Sequence, residues 1–251
     1  MINVKKVLLM TVLVSSVLQA HFGVLKPDSD VVTNSKKQNM QIMFIHPFEQ
    51  TYMQMDKPKE FGYFLDGKKV NLLSKIKSKR IKGFQTWEYT TKYKNIGDYI
   101  YFVDPKPYFE PSEGKFIRHI TKTIVDVHNA GEGWDAKTGL KAEIVPLSRP
   151  YSLYSGNIFS GTVYYKGKVV PYAEVEIEYL NDTSHFEAPT DNHITQVVKA
   201  DKNGVFHYAM PKSGWWGFAA LIEDDVTIKK DNKDYPVELG AVIWVKTYEM
   251  K

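Results

Sequence analysis

The feature that most constrains this chain is a period-two alternation of apolar and polar residues, recurring in short runs beyond residue 38. The runs are rich in Val, Ile, Tyr and Phe and are separated by Gly, Pro, Asn and Asp. A strand sends successive side chains to opposite faces, whereas a helix repeats its apolar positions every three to four residues. The pattern therefore predicts an all-β fold with scarce helix. Met40 to His46 is one such run; it ends at Pro47, and period two places His46 on the face of Ile42 and Phe44. Asp66-Gly67, between Tyr63-Phe64-Leu65 and Val70, is the signal of a tight two-residue hairpin. Asn95 to Asp98 turns the chain into Tyr99 to Val103, which Asp104-Pro105-Lys106-Pro107 ends. Phe116 to Val127 is the next extended run, Gly131 to Asp135 an irregular loop, and Ala142 to Pro146 extended again.

A boundary near Pro146 to Pro150 divides the remainder into two β-sandwich-like domains, residues 21–147 and 148–251. In the second, Ala173, Val175, Ile177 and Tyr179 are expected to point inward while Glu174, Glu176 and Glu178 face water. Asp201 to Gly204 is a tight turn, and Gly214 to Leu221 and Val242 to Val245 supply closing strands.

The amino terminus has a different character. Lys5 and Lys6 precede the apolar run Val7 to Leu18, broken only by Thr11, Ser15 and Ser16. This is the architecture of a secretory signal peptide, and the run falls well short of the roughly 20 residues that span a membrane. Ala20 supplies the small residue at the cleavage point, so residues 1–20 are expected to be removed and His21 to become the mature terminus. The chain has no cysteine, so its core must do without covalent staples. Formal charge is +4, or +2 once Lys5 and Lys6 leave, too weak a balance to argue for nucleic acid.

The second half reads G-x-V-x-x-x-G-K-x-V-P-x-A-x-V over 161–175, then A-D-x-N-G-x-F over 200–206 and G-W-W-G-F-A-A over 214–220. This order resembles the transthyretin-like or carboxypeptidase-regulatory-like sandwich. Together with His46-Pro47-Phe48-Glu49, Glu143 to Leu147 and Gly156 to Phe159, nearly the whole mature chain resembles one bacterial periplasmic family. Members of that family accompany nickel and cobalt uptake transporters of the energy-coupling-factor type. The resemblance implies a periplasmic metal-binding protein, not an enzyme, that supplies the components of a membrane metal-uptake transporter.

The residues offer ligands for such an ion. A terminal His21 presents its α-amine and its ring to one metal, and the amine, with an ordinary pKa near 7.7–8.0, gives up its proton at small cost near neutrality. Imidazole and amine suit nickel and cobalt, and also copper and zinc. His46, fixed in direction before Pro47, and His119, in phase with Ile117 and Val125, are the further candidates. Each has an alternative reading as a buried histidine satisfied by a backbone group. Glu110 and Glu113 flank Pro111 upstream of His119; Glu113 is the candidate carboxylate helper, and solvation is its alternative. Met53 and Met55 are either soft copper(I) ligands or core filling. His185 and His193 lie in a polar loop that is either a second site or an exposed connection.

Two other function classes stay open on the residues alone. Trp215 and Trp216 should point to opposite faces of a strand, and an outward ring would suit a non-catalytic adhesion or carbohydrate-binding module. The same terminal histidine would suit a copper oxidase in which His21 and a second histidine grip copper as a brace. Hydrolytic motifs are absent: the sequence has no Gly-x-Ser-x-Gly, His-Glu-x-x-His or phosphate-binding loop.

Overall fold

The computed structural model describes residues 20–34 and 37–250, so the predicted signal peptide lies outside the described residues except for Ala20. The first half contributes β1 (Phe22–Pro27), β2 (Val31–Val32), β3 (Gln38–His46), β4 (Thr51–Tyr52), β5 (Glu60–Leu65) and β6 (Lys68–Asn71). It continues through β7 (Lys77–Ile81), β8 (Phe84–Thr91), β9 (Gly97–Asp104), β10 (Tyr108–Glu110), β11 (Lys115–Val127) and β12 (Ala142–Pro146). The second half contributes β13 (Leu153–Tyr154), β14 (Ile158–Tyr165), β15 (Lys168–Val169), β16 (Glu174–Tyr179) and β17 (Gln196–Lys199). It closes with β18 (Val205–Ala209), β19 (Gly214–Lys230) and β20 (Lys233–Tyr248). The fold is all-β, as expected. One turn of α-helix, Asp191–Ile194, and a short 3-10 turn are the helical elements among the described residues. No helix among them is long and apolar enough to cross a membrane.

Tight turns set the registers. Asp66-Gly67, Lys82-Gly83, Lys166-Gly167 and Asp231-Asn232 each have both central residues at positive φ, the conformation whose twist matches the flanking strands. The Asp66-Gly67 hairpin predicted from sequence is therefore present, pairing Leu65 with Lys68.

Among the described residues the strands form three sheets. The first runs β1-β3-β8-β7, with β4 at its edge. The second is eleven-stranded, along the path β17-β16-β19-β20-β11-β9-β5-β6. The third runs β12-β14-β15, with β18 on β14. The long sheet is shared: Ile120, Ile124, Phe218 and Ile243 pack against Ile144, Phe159 and Val163 of the third sheet. Its other face carries Tyr101, Ile117 and Val125, which pack with Leu25, Ile42 and Phe44 of the first sheet. Two sandwich-like packings thus use one sheet between them. The 147/148 division is crossed twice, by β12 on β14 and by the parallel pairing of β11 with β20.

Strands β1 and β3 are buried on both faces. Met40, Ile42 and Phe44 join one core, while Met43 and Ile45 join a second with Phe22, Ala219, Val242 and Trp244. That is why residues 42–45 are apolar without a break, where a strand with one wet face would keep the alternation that the neighbouring runs show.

Two expectations need correction. Glu178 is not outward in water: it is 1% exposed, because the glutamate-bearing face of β16 continues into the face that β1 and β3 cover. Trp215 and Trp216 do face opposite ways, but both faces are covered, leaving them 6% and 4% exposed. Neither ring offers a sugar-stacking surface.

Candidate metal centre

The antiparallel register of β1 and β3 pairs Phe22 with Ile45 as its outermost step. One residue further out, His21 lies across from His46, and the two ring centroids are 4.6 Å apart. His21 also stacks on Phe44 at 5.6 Å, and its Nε2 is 3.1 Å from Oε2 of Glu110 on β10. The sequence weighed Glu110 beside Glu113; the structure puts Glu110 on the histidine. Glu113 instead accepts from Lys115 at 2.5 Å, and Lys115 reaches Glu238 of β20 at the same distance.

His119 reaches the same neighbourhood from below. In the parallel pairing of β11 and β20 it sits beside Gly240, while Gly23 of β1 crosses above it. A Cβ on Gly240 would stand 2.5 Å from the His119 ring, and one on Gly23 only 2.4 Å from Oγ1 of Thr121. Both positions need glycine for this close approach: Gly240 makes room for the His119 ring, and Gly23 lets β1 lie against Thr121 and the His119 backbone. Phe22 and Phe44 pack edge-on against the ring at 6.3 and 6.0 Å. His119 is 2% exposed, and neither of its ring nitrogens has a hydrogen-bond partner. His46 Nδ1 is likewise buried and unpartnered. An unpaired buried polar group costs about 1–3 kcal/mol, so three such nitrogens in one neighbourhood are a liability that packing does not explain.

A recess of about 210 Å³ opens where β1 begins, lined by Ala20, His21, Glu113, Lys115, His119, Glu176, Leu221 and Glu238. Glu176 and Glu238 come from the second half of the chain, and sequence reasoning assigned neither. The signal that would have found them is the pairing of β11 with β20, which is not local in sequence.

The electrostatics favour neutral imidazoles. Burial pulls His119 down to about 3, with help from the positive charge of neighbouring His21 and Lys115. Burial and His21 pull His46 down to about 4. His21 is also lowered by burial, with Glu110 opposing. Burial pushes Glu110 up, but hydrogen bonds from Ser112 and the His21 ring outweigh it and leave the carboxyl below its usual range. Glu176 is pushed up to about 7 by burial and then by Glu238. Neutral imidazole is the form that ligates a metal.

The structure therefore brings His21 and His46 together, sets His119 on the wall of the recess that His21 shares, and puts Glu113 on that same wall. Among the described residues no three His, Asp or Glu side chains stand at metal-ligating spacing, so a metal would require the side chains to close in. Met53 and Met55 are core filling, 9% and 6% exposed. His193 is exposed and hydrogen-bonded to Thr190 at 2.8 Å.

Residues 18–224 match the family model described as "Domain of unknown function (DUF4198)". No curated protein matches the chain. Among solved structures, the D0-D1 domain of intimin aligns at 12% identity over 88% of this chain and 99% of its own, with a TM-score of 0.25. Fibronectin(III)-like modules of Clostridium thermocellum CbhA align at 12% identity over 89% and 95%, with a TM-score of 0.21. The Yersinia pseudotuberculosis adhesin InvE aligns at 12% identity over 87% and 58%, with a TM-score of 0.23. At such scores these likenesses carry no inference about what the chain does.

Proposed function

We propose that this chain, which belongs to the DUF4198 family, is an exported, non-catalytic β-sandwich protein that takes up a divalent transition metal, nickel or cobalt, and supplies it to a membrane uptake transporter in the periplasm. The observation that carries the reading is that His21 lies beside His46 and shares a recess with His119, with three buried ring nitrogens of His46 and His119 unpartnered. Removal of residues 1–20 would take Ala20 out of the recess and free the His21 amine beside His119, Glu176 and Glu238.

The residues fit the ion in donor chemistry: up to three neutral imidazoles and one amine are borderline ligands that nickel, cobalt, copper and zinc accept. His21 would turn from Glu110 to bind, and Glu110 and Glu113 would then orient ligands or balance charge from outside the shell. The metal is cargo here, so a site that must close on binding and reopen suits delivery better than a preassembled cage. The choice of nickel or cobalt and of a transporter partner rests on the resemblance in the sequence.

Amino-terminal sequencing and elemental analysis of the exported protein, followed by calorimetric titration with nickel, test the proposal. The expected result is a chain starting at His21 that binds one nickel, with affinity at least ten-fold weaker in His21→Ala. Unchanged affinity in that variant would remove the site.

The cross-strand His21–His46 pair also favours a second reading, a copper brace that activates oxygen. Copper-dependent peroxide production by the processed protein would support it, and a paramagnetic resonance spectrum without bound copper(II) would end it.

A further inference from the structure

A second cavity also has His119 in its lining, and shares no other lining residue with the recess at the start of β1. Its volume is about 250 Å³, and its lining includes Phe44, Met55 and Tyr108 as walls, His119 at one side, and Asp56 and Lys106. For scale, an engineered cavity of about 150 Å³ holds benzene. The room is thus that of one flat ring and a short polar head.

The lining has three chemically separate parts. Phe44 and Tyr108, with ring centroids 5.4 Å apart and an interplanar angle of 57°, offer a face and an edge, the contacts that aromatic rings prefer. Asp56 and Lys106 are exposed side chains whose Oδ2 and Nζ lie 3.7 Å apart, a pair of opposite charges with no net charge between them. Such a pair complements a molecule that itself carries one ammonium and one carboxylate, and it favours neither a net anion nor a net cation. His119 supplies the remaining part: it is 2% exposed, lines the cavity, and has both ring nitrogens unpartnered. A neutral imidazole offers one donor and one acceptor, so a ligand atom that is polar at the far end of a ring would relieve a buried group that the protein leaves unpaired.

We propose that this cavity binds a free α-amino acid with a flat ring side chain, its zwitterionic head at Asp56 and Lys106, its ring packed against the Phe44–Tyr108 pair, and a polar atom of the ring on His119. The site combines an apolar slot with a few convergent polar groups, the usual make-up of a small-molecule site. It does not require the metal. Amino acids whose ring holds or carries a polar atom, such as histidine with its ring nitrogens and tyrosine with its hydroxyl, are the ligands selected, because phenylalanine leaves the His119 nitrogens unpaired and alanine leaves the slot empty.

The test is saturation-transfer NMR on the processed protein, stripped of metal by chelator, with L-histidine, L-tyrosine, L-phenylalanine and L-alanine as probes. Histidine and tyrosine are expected to bind, phenylalanine about ten-fold more weakly and alanine not detectably, a ratio of the kind that an unmet buried hydrogen bond imposes. Asp56→Ala combined with Lys106→Ala, both on the surface and outside the metal centre, should weaken histidine binding at least ten-fold while nickel titration stays unchanged. No binding of any probe at millimolar concentration, equal binding of alanine and tyrosine, or histidine binding unaffected by the double variant would each overturn the assignment. Failure of nickel to bind would count against the metal proposal alone.

Discussion

The His119 ring gives a prediction whose size follows from its burial. Its folded-state pKa is held down at about 3, whereas an unfolded imidazole titrates near 6.5. A group with a depressed folded pKa lets the unfolded state bind the extra proton, so the stability it allows is complete above the unfolded value and is lost as pH falls below it. Between about pH 7.5 and about pH 5 the titration covers roughly 1.5 pH units below 6.5, which at 1.36 kcal/mol per unit is a loss of about 2 kcal/mol. Other groups move in the same window. His46, at about 4, acts in the same direction. Asp30 and Asp98, raised by burial to about 6, and Glu176, raised to about 7, act oppositely by favouring the folded state as they protonate. The total pH dependence therefore does not isolate His119, but a comparison with His119→Gln does. Urea unfolding of the metal-free wild type and of this variant should show the stability difference shifting by about 2 kcal/mol in favour of the variant from about pH 7.5 to about pH 5. Parallel curves across that range would refute the reasoning, since they would mean that the folded ring takes its proton as easily as the unfolded one.

Other consequences are simpler to read. Gly240→Ala puts a methyl 2.5 Å from the His119 ring, and should cost about 1–3 kcal/mol in denaturant unfolding because the ring is buried, with Phe22 and Phe44 packed edge-on against it. Lys122 is 1% exposed and donates to Glu143 at 2.8 Å, and Glu143 also accepts from Thr138 and Gly139. Lys122→Ala strands that carboxylate in the core and should cost about 3–5 kcal/mol by the same measurement, whereas a loss below about 1 kcal/mol would show that water reaches Glu143.

Much of this architecture was legible because strand signals are local. The alternation, the Asp66-Gly67 hairpin and the Pro47 stop each need only a few consecutive residues, and they placed His46 on the face of Ile42 and Phe44, where it lies. The continuous sheet was not legible, because β11 pairs in parallel with β20 more than a hundred residues away, and no turn signal announces a parallel partner. That one missing contact accounts for most of the rest. Without it, Glu178 of β16 read as solvent-facing, as Glu174 is, and Trp215-Trp216 as half exposed, and Glu176 and Glu238 had no reason to be considered near His21. Glu110 was visible as a loop carboxylate, but only the pairing of β10 with β11 shows that it, rather than Glu113, reaches the histidine.

The claim on which the functional account depends is that the imidazoles of His21, just before β1, His46 on β3 and His119 on β11 hold one metal ion. Nickel-edge X-ray absorption on the processed, nickel-loaded protein examines that directly. The account predicts a nitrogen-rich first shell with the outer-shell scattering of imidazole rings, diminished in His46→Ala and again in His46→Ala combined with His119→Ala. A shell of oxygen ligands, or imidazole scattering unchanged by both substitutions, would contradict it.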